Sequence, residues 1–101
     1  MEAVDINTMK QNAAEVSELL RIMAHPERLM VLCQLTKGEV GVGMLQQGSA
    51  LSQSAFSQHL TVLRKHGLIK ARKESQQVFY SLADNRVTQL IQSLQTTFCG
   101  Q

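Results

Sequence analysis

No apolar run in this sequence approaches the ~20 residues needed to span a bilayer, so a membrane-spanning helix is not expected. The opening stretch MEAVDINTMKQ has no basic start followed by an apolar segment, which argues against a secretory signal. A cytoplasmic protein without membrane association is therefore expected. Only two cysteines occur, Cys33 and Cys99. In a reducing compartment two thiols are more often inert, metal-binding or redox-sensing than a static staple. Proline occurs once, and neither an internal repeat nor a low-complexity segment interrupts the chain. There is no Gly-rich phosphate loop, no paired carboxylates in a plausible cleft, and no Ser/His/Asp arrangement of catalytic type. An enzyme is not expected, and no cofactor is implied.

What is present is an ordinary globular composition, 44% hydrophobic and 18% charged, in 101 residues. That is the size of one domain, taken as residues 1–101. A core this small gains from dimerisation. The net charge of +2 says little, but its distribution says more. Arg64, Lys65, Lys70, Arg72 and Lys73 are half of the ten Lys and Arg residues, with no acid among them. Such a strip suits either a solvated surface or a phosphate backbone.

Periodicity predicts helix over most of the chain. Ala13, Val16, Leu19, Leu20 and Met23 recur at helical spacing over about residues 8–24. His25-Pro26 breaks the pattern, and proline suits the first position of a new helix. That second helix, ERLMVLCQLT, is apolar almost all round and is expected to be the buried centre of the domain. The turn KGEVGVG leads to a short segment, MLQQGSA. LSQSAFSQHLTVLRKHG then reads as a helix capped by Ser52 and closed by Gly67. With only GSA between them, the two form a helix-turn-helix pattern.

GLIKARKESQQVFYSLA alternates as a hairpin, with Ile69 and Ala71 on one face, Lys70 and Arg72 on the other, and KESQQ at the tip. A last helix from about Asp84 to Phe98 carries Val87, Leu90, Ile91, Leu94 and Phe98 as a stripe. Its expected partners are the first helix or a second copy of the chain. The fold class is mainly α with one β-hairpin: a winged helix-turn-helix, homodimeric through its terminal helices.

On the second helix of the motif, Phe56, Leu60 and Leu63 share the core face, with Ala55 and His59 at its margin. Ser54, Gln58, Thr61 and Lys65 fall opposite, flanked by Ser57 and Arg64. Small polar side chains suit base edges in a major groove, and Lys or Arg suits phosphates or guanine. Gln53 and Ser54 stand at the helix N-terminus, where amides can face a phosphate.

From LLRIMAHPERLMVLCQL through LSQSAFSQHLTVLRKHGLI to RKESQQVFYSL, the chain resembles the ArsR family of small bacterial repressors. The resemblance implies a homodimer of winged helix-turn-helix units on an inverted-repeat, double-stranded DNA operator. It puts Gln53, Ser54, Ser57, Gln58 and His59 on the recognition helix, and Arg72, Lys73 and Gln76 on the wing. Metal-sensing members carry a Cys-x-Cys motif before the recognition helix, or Asp and His pairs on the last helix. GVGMLQQG and DNRVTQLIQSL have neither, and His25, His59 and His66 are not spaced as ligand pairs. No metal is expected.

The cysteine positions, one in the second helix and one at the end of the last, resemble the BigR, SqrR and HlyU branch of that family. The resemblance implies that Cys33 and Cys99 form a redox pair, answering reactive sulfur or oxidant species and controlling operator binding. A direct disulfide needs Cα atoms within roughly 7 Å, and each added sulfur extends the reach by about 2 Å. The alternative is a metal-independent regulator or anti-repressor in which both cysteines only pack and the signal is unknown. A winged module that binds only protein is a further alternative, separated by the absence of salt-dependent DNA binding.

Overall fold

The structure is a computed structural model describing residues 5–100. The first four residues and Gln101 of the expected 1–101 domain lie outside the described residues. Within them run α1 (Ile6–Met23), α2 (Pro26–Gln34), β1 (Val40–Gly41), α3 (Val42–Gln47), α4 (Gln53–Lys65), β2 (Ile69–Glu74), β3 (Gln77–Leu82) and α5 (Asn85–Cys99). The order is the expected one of four helices, a hairpin and a final helix. One element was missed. Val40–Gly41, inside the segment read as a turn, pairs with Tyr80 and Phe79 and makes a three-stranded antiparallel sheet ordered β1-β3-β2. Two residues carry no periodicity, so only the tertiary pairing reveals them.

Local chemistry sets the boundaries. Asp5 caps α1 by accepting from the Thr8 amide at 3.2 Å. His25 caps α2 through Nδ1, which accepts from the Glu27 amide at 3.1 Å, and Pro26 takes the first turn. Ser52 caps α4, and Gly67 follows it at φ 80°, a left-handed conformation that suits glycine. The hairpin tip is tighter than expected. Glu74 pairs with Gln77, leaving only Ser75 and Gln76 in the turn, with Ser75 at φ 58°. The helix-turn-helix connection is longer than GSA and covers residues 48–52.

The core lies where α2, α4, α5 and the root of the hairpin meet. Val31, Leu32, Leu45, Leu63, Val87 and Ile91 are fully buried. Two expectations about this core need correction. The second helix is not buried all round. Val31 and Leu32 face inward, but Cys33 is half-buried and Met30 is 50% exposed, because only one side of α2 is covered by α4 and α5. The stripe on α5 does find a partner within the chain. Val87 and Ile91 pack into the core beside α2 and β3, while Phe98, beyond the last covering residue, is 79% exposed.

α1 behaves differently. At 1.5 Å per residue its 18 residues run about 27 Å, yet every residue from 5 to 18 is exposed. Its apolar positions Ile6, Met9, Val16 and Leu20 are 45–62% exposed. The overall dimensions of 51 × 30 × 23 Å reflect this elongation. No helix among the described residues is long and apolar enough to cross a membrane.

Candidate nucleic-acid interface and thiol pair

Phe56, Leu60 and Leu63, each at most 3% exposed, anchor α4 in the core. That anchoring turns Gln53, Ser54, Ser57, Gln58, Thr61, Arg64 and Lys65 outward, and all seven are exposed. Ser57 and Thr61 lie one turn apart, the Thr61 hydroxyl donating to the Ser57 carbonyl at 2.9 Å. Arg64 and Lys65 end the helix, where the dipole favours cations. The exposed face therefore runs from small neutral polar groups to a basic end.

His59 is placed differently from its neighbours. Its ring is half-buried and turned to α2, with its centroid 4.2 Å from that of His25. Its Nδ1 accepts from the Arg28 Nε–H at 3.2 Å. The turn before α4 is tied to the same region: the Ser49 hydroxyl donates to the Glu27 carboxylate at 2.7 Å. The sequence marked His25 as a cap, but only the fold brings Glu27 and Arg28 to the motif.

The wing residues divide by face. Register pairs Arg72 with Phe79 and Lys73 with Val78, so the two cations point to opposite sides of the sheet. Arg72 is held by two carboxylates, donating to Glu39 at 2.7 and 2.9 Å and to Glu74 at 2.5 Å. Its guanidinium carbon lies 4.9 Å from the Phe79 ring centroid. The hydrogen bond from Arg72 holds the Glu39 carboxyl below its usual range. Among the described residues Lys70 and Lys73 have no ion pair, and Gln76 is exposed at the hairpin tip. Glu39 sits in the segment before β1, and nothing in its sequence position signals a link to the wing.

Cys33 and Cys99 come together although 66 residues separate them. Both line one open groove of about 410 Å³, with Gln34, Thr36, Lys37 and Gln95, and both are free thiols. Burial first, and the neighbouring Cys99 second, push the Cys33 thiol up, against an opposing hydrogen bond from Gln95. The Gln95 amide also donates to the Cys33 carbonyl at 3.3 Å, fastening α5 to α2 beside the pair. Gln95 lies one turn before Cys99 and so shares its face, a spacing visible in sequence. Lys37 supplies a cation at the groove, and its approach depends on the turn after α2. Among the described residues no group of three or more His, Cys, Asp or Glu side chains could hold a metal ion.

The helix-turn-helix region matches a known pattern. Residues 25–71 fit the bacterial regulatory protein, arsR family. The chain is 42% identical over 93 residues to the biofilm growth-associated repressor of Xylella fastidiosa (strain 9a5c), covering 92% of this chain and 82% of that protein. The chain belongs to the ArsR family. It is 43% identical over 96 residues to the transcriptional activator HlyU of Vibrio cholerae, covering 95% of this chain and 89% of that one. Reduced HlyU from Vibrio cholerae superposes with a TM-score of 0.88 at 44% identity, over 93% of this chain and 99% of that one. The transcriptional repressor BigR from Xylella fastidiosa superposes at 0.85 with 40% identity, over 97% and 100%. Within the family the chain stands in the BigR- and HlyU-like branch, a group of transcriptional regulators rather than enzymes.

Proposed function

We propose that this ArsR-family regulator acts in the cytoplasm as a homodimer on an inverted-repeat DNA operator, with its affinity set by the sulfur chemistry of Cys33 and Cys99. The observation that carries the thiol half is their position. Two cysteines from distant segments line one groove of one protomer, one of them exposed, with a lysine and an amide beside them. Cys99, open to solvent, is the thiol that meets the reagent. Cys33, half-buried and harder to ionise, is the one that resolves. With peroxide the two thiols lose two electrons and two protons, giving a disulfide and water. With a polysulfide the Cys99 thiolate attacks an inner sulfur and displaces the shorter remainder, leaving two added sulfurs as Cys99–S–SH. Cys33 then attacks the middle sulfur of that chain and expels the terminal one as hydrosulfide, giving a Cys33–S–Cys99 trisulfide.

On the DNA side the reading face comprises Gln53, Ser54, Ser57, Gln58 and Thr61, with Arg64 and Lys65 for the backbone. The wing adds Lys73 and Gln76. Arg72 reaches a phosphate only by leaving Glu39, and His59 serves the face from behind. The dimer buries the exposed stripe of α1 with the outer side of α5. That placement accounts for a long helix whose apolar residues otherwise meet water. The relatives include both a repressor and an activator.

The test treats reduced protein with a polysulfide donor and, separately, with peroxide, then reads peptide masses and affinity for a duplex selected from a random pool. A Cys33–Cys99 link with extra sulfur and weakened binding supports a reactive-sulfur switch; a plain disulfide from both reagents supports a general oxidant sensor. If bridging disfavours the DNA-bound form by about 3 kcal/mol, affinity falls more than a hundredfold. Unmodified thiols and unchanged affinity would return both cysteines to packing and leave the signal unknown.

A further inference from the structure

The first turn of α2 holds the recognition helix at two points. Glu27 accepts from Ser49 in the turn that precedes α4. Arg28 donates from Nε to His59 Nδ1 on α4 at 3.2 Å, and from a terminal nitrogen to the Ile22 carbonyl at the end of α1 at 2.9 Å. Arg28 thus spans three helices. The His25 ring lies against His59 at 4.2 Å, tilted by 42°, with its own Nδ1 accepting from the Glu27 amide. A ring that accepts at Nδ1 carries its single proton on Nε2 and is neutral. The contact from Arg28 therefore requires the His59 ring to be uncharged.

We propose that Arg28 is the positioning residue of the recognition helix, fixing the rotation of α4 through a neutral His59, so that protonation of His59 loosens the DNA-reading face. This rests on α4 being the DNA-reading helix. Protonating His59 puts an N–H where Arg28 already points one, replacing a hydrogen bond with two opposed cations. The titratable groups that bear on His59 are His25, which caps α2, and Arg28 and Glu27 in its first turn. Only Glu27 favours the charged ring, and its carboxylate is engaged by Ser49. Burial, then His25 and Arg28, hold the His59 pKa below the ordinary histidine value. The unfolded chain therefore takes up the proton first. Stability from the neutral ring is complete above the ordinary value and is lost as pH falls toward the lower folded one.

The direction for DNA binding distinguishes this couple from a histidine that touches DNA. A histidine at a phosphate gains affinity on protonation, so binding would strengthen as pH falls. Positioning through a neutral ring predicts the reverse.

The first measurement is the His59 ring tautomer and titration by nitrogen NMR in reduced wild type and in Arg28→Ala. A neutral Nε2–H form is expected in wild type, with a pKa that rises when Arg28 is removed. The second is affinity for a duplex selected by the wild-type protein from a random-sequence pool. Between about pH 7.5 and about pH 5.5, across the histidine range, wild-type affinity should fall by about fivefold or more, the low end of a typical coupling. His66→Gln should retain that ratio, whereas Arg28→Ala and His59→Asn should bring it close to one. An Nδ1–H tautomer, or affinity that rises on acidification, would overturn the proposal. Failure to select any duplex would overturn the DNA reading instead, because the tautomer measurement does not depend on it.

Discussion

Replacing Lys73 by alanine should weaken DNA binding through the salt-dependent term, and replacing Arg72 should not. The two are adjacent in a basic strip and look equivalent in sequence, but the structure gives them opposite surroundings. Arg72 is braced between Glu39 and Glu74, so its one charge is engaged by two carboxylates. Lys73, on the other face of the hairpin, has no ion pair among the described residues. Each phosphate contact contributes about 0.9 to the slope of log affinity against log salt. A homodimer with Lys73 on a phosphate in each wing therefore loses about 1.8 from its slope in Lys73→Ala. Between about 50 and about 200 mM salt, the wild type's advantage over that variant should shrink by roughly tenfold.

Arg72→Ala should change the slope by less than about 0.5, because the side chain is engaged by Glu39 and Glu74 within the wing rather than by DNA. Glu39→Gln combined with Glu74→Gln removes both anions of the brace and should leave Arg72 free to add to the slope. The assay is fluorescence anisotropy of a labelled, selected duplex across a salt series under reducing conditions. If Arg72→Ala flattened the slope as much as Lys73→Ala, the guanidinium would have exchanged Glu39 for phosphate and the bracing argument would be wrong. If neither variant altered it, the hairpin would not be a DNA-contacting wing.

Three further outcomes follow from the geometry. Leu63 is fully buried, so Leu63→Ala should cost about 2–5 kcal/mol in a denaturant titration; a loss below about 1 kcal/mol would show that the core under α4 is loosely packed. The Asp84 carboxylate caps α5, accepting from the Arg86 amide at 2.8 Å, so Asp84→Ala should cost about 1 kcal/mol. The hydrogen bond from the Arg86 side chain lowers its pKa, so this stabilisation is present above the ordinary aspartate value and fades as pH falls through the lower folded one; a cost independent of pH in acid would refute that origin. Alkylation followed by mass spectrometry should label Cys99 before Cys33 by about tenfold or more, since Cys33 is half-buried and its thiol is pushed up. Equal rates would remove the division into attacking and resolving thiols.

Sequence carried the architecture well wherever periodicity was long or a cap was chemical. α4 could be read from Ser52 to Gly67 because a serine cap, a three-residue apolar face and a glycine stop agree. The basic hairpin was likewise legible from its alternation. What failed were features decided by a neighbour. The apolar residues of α2 gave no sign that Met30 would remain uncovered, and β1 exists only because β3 lies alongside it. The same holds at the site. A charge count placed Arg72 and Lys73 together, whereas pairing register places them on opposite faces and Glu39 removes one of them from the free charge. His59 belonged to a motif by its position, but the ring's direction depends on Arg28, 31 residues away.

α2 is where these features meet. It is nine residues long, about 13 Å, too short to bend and too well anchored by Val31 and Leu32 to slide without disturbing the core. Its first turn holds α4 through Arg28 and the turn before α4 through Glu27. Its last turn carries Cys33, with α5 fastened there through Gln95. A covalent link from Cys33 to Cys99 would pull on that last turn, and a rigid helix pivoting on its buried middle moves its other end too. The displacement would then arrive at the two hydrogen bonds that orient the reading face. A link in that groove therefore need not touch DNA or the wing to weaken binding; it need only tilt the one short helix from which the recognition helix is hung.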